Sequence, residues 1–92
     1  MGTPFYDMAL IRNFISNLIK IYEEEKGKVE LKELVKKLYQ VDPQNRERIC
    51  NSGLNASELE EITMEVMKYI LNLEEGKETM VNLIVSTLLK NC

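Results

Sequence analysis

No histidine or tryptophan occurs anywhere in this 92-residue chain, and proline, cysteine and glycine number only two, two and four. Without histidine, a serine or cysteine nucleophile has no imidazole to take its proton. Neither a Gly-x-Gly nor a Gly-Lys-Ser/Thr run is present to cradle a phosphate. Cys50 and Cys92 stand far apart in the chain with no histidine between them, which falls short of the clustered ligands that zinc requires. Nor do two cysteines make a disulfide framework. With no signal-peptide pattern ahead of the first amphipathic stretch, the expectation is a reducing, cytoplasmic compartment. The longest strongly apolar run, Met80 to Leu89, is interrupted by Asn82, Ser86 and Thr87 and stays below the ~18 to 20 residues of a membrane span. These absences argue against an enzyme, a cofactor, a metal, a small-molecule substrate and a transmembrane segment.

What is present describes one small folded domain covering residues 1–92. The chain is 45% hydrophobic and 29% charged with a formal net charge of -3, too apolar and too balanced for a disordered segment. Its length supports a single core.

The apolar spacing is helical throughout. Thr3-Pro4 is an N-cap followed by proline at the first helical position. The stretch Met8, Leu10, Ile11, Phe14, Ile15, Leu18, Ile19, Ile21, Tyr22 then covers about half a helix circumference up to Gly27, the expected left-handed stop. A second helix places Leu31, Leu34, Val35 and Leu38 on one face. Val41-Asp42-Pro43 breaks it, and Asp42 caps a short third helix ending near Asn51. Asn55-x-x-Glu58 and Ser57-x-x-Glu60 are overlapping starts for helix four, the second in the Ser-x-x-Glu form of a capping box. Its core face is expected to be Leu59, Ile62, Val66, Tyr69, Ile70 and Leu73. Gly76 separates it from a fifth helix, apolar over more than half its circumference from Met80 to Leu89. Valine and isoleucine between Met80 and Val85 also suit a strand, but alternation fails after Val85 and no partner strand exists. The expected fold is all-α, a compact bundle of four main helices plus one short connecting helix.

Four helices bury roughly one stripe each, yet helices one and five present about 180° of apolar surface, and helix four adds a second stripe, Met64, Met67 and Leu71. This surplus points to a non-enzymatic interaction module, a small homodimer or an accessory subunit that docks on another protein. The residues expected to carry it are Phe14, Ile19, Met64, Met67, Leu71 and Val85, and methionine suits an irregular partner surface.

Charge offers a second reading. From Lys26 to Arg48, seven bases face four acids, whereas the rest of the chain is strongly acidic. Lys28, Lys32, Lys36, Lys37, Arg46 and Arg48 lie on a helix-turn-helix-like segment, residues 28–51, that suits phosphates. The acidic balance of the whole domain and the missing turn glycine weigh against nucleic acid. Fold-level analogy adds a third reading, a small helical immunity or inhibitor protein that neutralises one target. Cys50, beside Arg46 and Arg48, is expected to be a small buried hydrophobe rather than a reactive thiol. Glu60-Glu61 and Glu74-Glu75 are expected to be solvated charge.

Overall fold

The computed structural model describes residues 4–26 and 28–92, with side chains from Met8 onward. Thr3 and Gly27, the cap and stop expected for the first helix, lie outside these residues. Five helices follow in chain order: α1 (Pro4–Glu25), α2 (Leu31–Val41), α3 (Pro43–Cys50), α4 (Ala56–Leu71) and α5 (Glu78–Lys90). The described residues contain no strand, and Met80 to Val85 lie inside α5. The fold is a small all-α bundle.

Its punctuation follows from local chemistry. Pro4 opens α1, where a missing N–H costs nothing. Asp42, forced into extended geometry ahead of Pro43 (φ -140°, ψ 96°), ends α2 and caps α3 at once, its carboxylate accepting from the Gln44 N–H at 3.1 Å. Ser52 closes the α3 exit: its hydroxyl donates to the Ile49 carbonyl and accepts from the Leu54 N–H, while Gly53 takes a positive φ of 79°. The capping box of α4 is Asn55 with Glu58, not Ser57 with Glu60. Glu58 N–H donates to Asn55 Oδ1 at 2.8 Å and Asn55 N–H to Glu58 Oε1 at 3.0 Å. Asparagine is at least as good a cap as serine, and using it gains the helix another half turn. At the far end Asn72 adopts the left-handed conformation, φ 53°, that frees the chain to turn toward α5.

The bundle has a definite order. Helices α1 and α5 each touch α2, α3 and α4, so α1 and α5 lie diagonally across the core, as do α2 and α4. The Cα radius of gyration, 12.4 Å, is what a close-packed domain of this length should have. Ile11, Ile15, Leu18 and Ile19 of α1 meet Val35 of α2, Leu59 and Met67 of α4, and Ile84 and Leu88 of α5 in one interior cluster. Phe14 and Tyr39 stack across α1 and α2 with ring centroids 5.7 Å apart. Two buried hydroxyls are satisfied within their own helices, Thr63 on the Leu59 carbonyl and Thr87 on the Leu83 carbonyl, both at 2.7 Å.

Two expectations are corrected here. The buried face of α4 is Leu59, Ile62, Thr63, Val66 and Met67. Its centre is turned toward Met67 because α4 is wedged between α1 and α5, and Tyr69, expected in the core, stands 89% exposed. Second, Cys50 and Cys92 form a disulfide, with Cα atoms 5.7 Å apart, between the last residue of α3 and the residue two beyond α5. Cys50 is therefore neither a free hydrophobe nor a reactive thiol. The expectation of a reducing, cytoplasmic compartment rested in part on unpaired cysteines and loses that part of its premise. Among the described residues no helix is long and apolar enough to cross a membrane.

Candidate functional site

The six residues expected to form a docking surface divide sharply. Phe14, Ile19, Met67 and Val85 are buried within the monomer, with no face left for a partner. The reason is α3. Counted as a mere connector, it lends no cover. In the fold it packs on α1, α2 and α5 and gives α1 and α5 a third neighbour each, which absorbs their wide apolar arcs. Met64 and Leu71 remain half-buried on the side of α4 that turns toward α5 and the connection following Asn72.

Among the described residues α4 is the one helix with only two neighbours, α1 and α5. Its outer side is a ridge with an open groove along each flank. The α1 flank is lined by Arg12, Asn13, Ser16, Val66, Tyr69 and Ile70, and Arg12 bridges it to Glu65 at 2.9 Å. Both side chains of this pair are solvent-exposed, so it adds little stability. Spacing alone puts Tyr69 in the core. Its flanks, Lys68 and Asn72 on the same turn, were the signal that the helix's solvent side begins there.

The α5 flank is a groove of about 400 Å3 lined by Glu60, Glu61, Met64, Glu65, Glu78 and Val81. Met64 forms its half-buried apolar strip, and Gly76 is what lets it lie there: a Cβ built on Gly76 would collide with Met64 Sδ. Carboxylates surround that thioether from both helices. Among the described residues Arg12 is the one cation paired with any of them.

The opposite, basic side is arranged differently. Lys32, Lys36 and Lys37 of α2, with Lys28 just before it, stand in solvent. The two arginines make hydrogen bonds within the chain, Arg46 from an exposed position and Arg48 from a half-buried one. Arg46 donates through Nε to the Asn91 carbonyl at 3.1 Å and through Nη2 to the Cys92 carbonyl. Arg48 donates to Asn45 Oδ1 at 3.3 Å and Gln44 Oε1 at 2.9 Å. Of the six expected phosphate ligands, Lys32 lines an open groove with Lys90 and Asn91, and Arg46 bonds the Asn91 carbonyl.

Arg46 belongs to a latch on the end of α5. Its guanidinium meets the carbonyl end of the helix dipole, Tyr39 donates its hydroxyl to the Leu88 carbonyl at 3.1 Å, and the disulfide lies beside them. Burial pushes the Tyr39 phenol well above its ordinary range, and the nearby Arg46 charge opposes this only in part.

Compared with protein-family models, curated proteins and solved structures, the chain matches none.

Proposed function

We propose that this domain is a non-enzymatic protein-interaction module that docks another protein through the outer ridge of α4. The observation that carries the reading is Tyr69, 89% exposed on the helix that, among the described residues, has only two neighbours, and set beside the Arg12–Glu65 pair. Tyrosine and arginine are the residue types that dominate protein interfaces, because they combine large contact area with directional polar groups. A ridge flanked by two grooves also offers a partner more than a flat contact, since side chains on either side of it have somewhere to insert.

The wide apolar arcs of α1 and α5 are mostly internal, with Leu83 of α5 left 51% exposed, and the reading rests chiefly on α4. Closed homodimerisation has less behind it than docking on a different protein: α4 carries few exposed apolar side chains, and obligate homodimer interfaces are strongly apolar.

The test places a photoreactive phenylalanine analogue at position 69, at position 61, or at position 36 on the opposite face, in cells that make the protein. The expected result is one discrete crosslinked species from positions 69 and 61 and none from position 36. Equal adducts from all three positions, or none from α4, would refute the reading. Solution mass by light scattering across concentrations separates a second copy from a different protein.

A further inference from the structure

Resting on that reading, we infer the chemistry of the partner: the groove between α4 and α5 receives a basic amphipathic helix of another protein. Glu60 and Glu61 flank Met64 on α4, and Glu78 faces it from α5. None of these three is held in an ion pair among the described residues, so each keeps its charge open to an incoming cation. The half-buried Met64 side chain between them is an apolar seat that reshapes easily around a leucine- or isoleucine-sized side chain. An amphipathic helix supplies both elements at matching spacing, with lysine or arginine on either side of an apolar row.

The chain's own basic helix is the other occupant that charge would allow, and the fold argues against it. Its exposed lysines, Lys32, Lys36 and Lys37, lie on α2, diagonally across the bundle from α4. With the two faces pointing opposite ways, two copies cannot engage each other reciprocally about a two-fold axis. A charge-matched contact between copies would repeat head to tail without closing. A separate basic helix saturates the groove one to one.

The experiment titrates the domain with a synthetic peptide of about eighteen residues carrying lysine and leucine at helical spacing, and with a twin in which glutamate replaces every lysine. Methionine methyl resonances report the site. The expected result is saturable one-to-one binding of the lysine peptide that shifts the Met64 methyl, weakens with salt, and weakens about tenfold in the triple variant Glu60→Gln, Glu61→Gln, Glu78→Gln, in line with three exposed ion pairs. Circular dichroism of that variant checks that the fold is kept. Binding of the glutamate twin with Met64 shifted would overturn the charge assignment while leaving α4 as the docking face. No binding of either peptide, shifts confined to other surfaces, or a mass that climbs steadily with concentration in the absence of peptide would each overturn the inference. The crosslinking at positions 69 and 61 decides the broader reading independently.

Discussion

Opening the Cys50–Cys92 disulfide should cost this domain a large share of its stability without changing its folded structure. The bond closes a segment of sequence separation 42. On the chain-entropy estimate, a loop of that size restricts the unfolded state by about 4 kcal/mol. Domains of this size are stable by ~5 to 10 kcal/mol in all, so the reduced protein would retain about half or less of that. The melting temperature should fall by about 15 to 25 °C. The folded state itself has independent reasons to keep the end of α5 in place, because Arg46 and Tyr39 hold the carbonyls of Leu88, Asn91 and Cys92 whether or not the sulfurs are joined. Urea unfolding of the oxidised protein, the reduced protein and the Cys50→Ser, Cys92→Ser double variant tests this. The reduced and double-variant proteins should agree with one another, lie well below the oxidised form, and give amide spectra that match it outside the last turn. If reduction moves stability by less than about 1 kcal/mol, the chain-entropy account fails. If the amide spectrum changes throughout the bundle, the disulfide is holding the fold together rather than restraining the unfolded chain.

Three further perturbations address particular contacts. Met67→Glu puts a carboxylate at a fully buried position in the apolar core, and should unfold the monomer by circular dichroism rather than merely disturb assembly. Retained helicity and cooperative melting would show that Met67 reaches a surface. Asn55→Ala removes the capping-box acceptor for Glu58 and should lower stability by about 1 kcal/mol in urea, whereas Ser57→Ala, inside the helix, should change it by a few tenths at most. Tyr39 remains protonated in the folded protein to higher pH than in the unfolded chain, whose phenol titrates near 10.0. Above that pH the unfolded state binds fewer protons than the folded one, so stability should fall by about 1.4 kcal/mol per pH unit. Tyr39→Phe should remove that component of the alkaline slope while costing about 1 kcal/mol at neutral pH through the lost bond to the Leu88 carbonyl. An unchanged slope above pH 10 would mean that Tyr39 is hydrated in the native state.

Helix number, order and most boundaries were legible because each rests on chemistry within a few residues: Pro4 opening α1, Asp42 and Pro43 at the α2–α3 junction, and two overlapping caps at α4, of which the chain uses Asn55 with Glu58 rather than the expected Ser57 with Glu60. Helical spacing likewise located most of the buried face of α2. What local pattern does not encode is how many neighbours a helix acquires. An apolar arc as wide as those of α1 and α5 fits either an extra helix within the monomer or a partner outside it, and only the placement of α3 decides between them. The same ignorance misplaced Tyr69, since a tyrosine at core spacing is apolar enough to belong inside until the direction of the neighbouring helices is known. The cysteine pairing escaped for a related reason. Nothing in the sequence near Cys50 or Cys92 records that α3 and α5 end side by side. Of the docking residues expected from sequence, Met64 and Leu71 keep some exposure, and they lie on the helix that the proposed function singles out.

Asp42 ends one helix and begins the next with no residue to spare, whereas six residues, 72–77, carry the chain from α4 to α5. The two junctions should therefore differ in how they accept a change of length. One residue added at position 42 would turn α3 by about 100° against α2, carrying Ile49 out of the core and Cys50 away from Cys92. One residue added within 72–75, short of the Gly76 contact with Met64, only lengthens an excursion on the surface. Insertions and deletions among relatives of this chain should collect between α4 and α5 and be missing from the α2–α3 elbow, which works as a gear rather than as a loop.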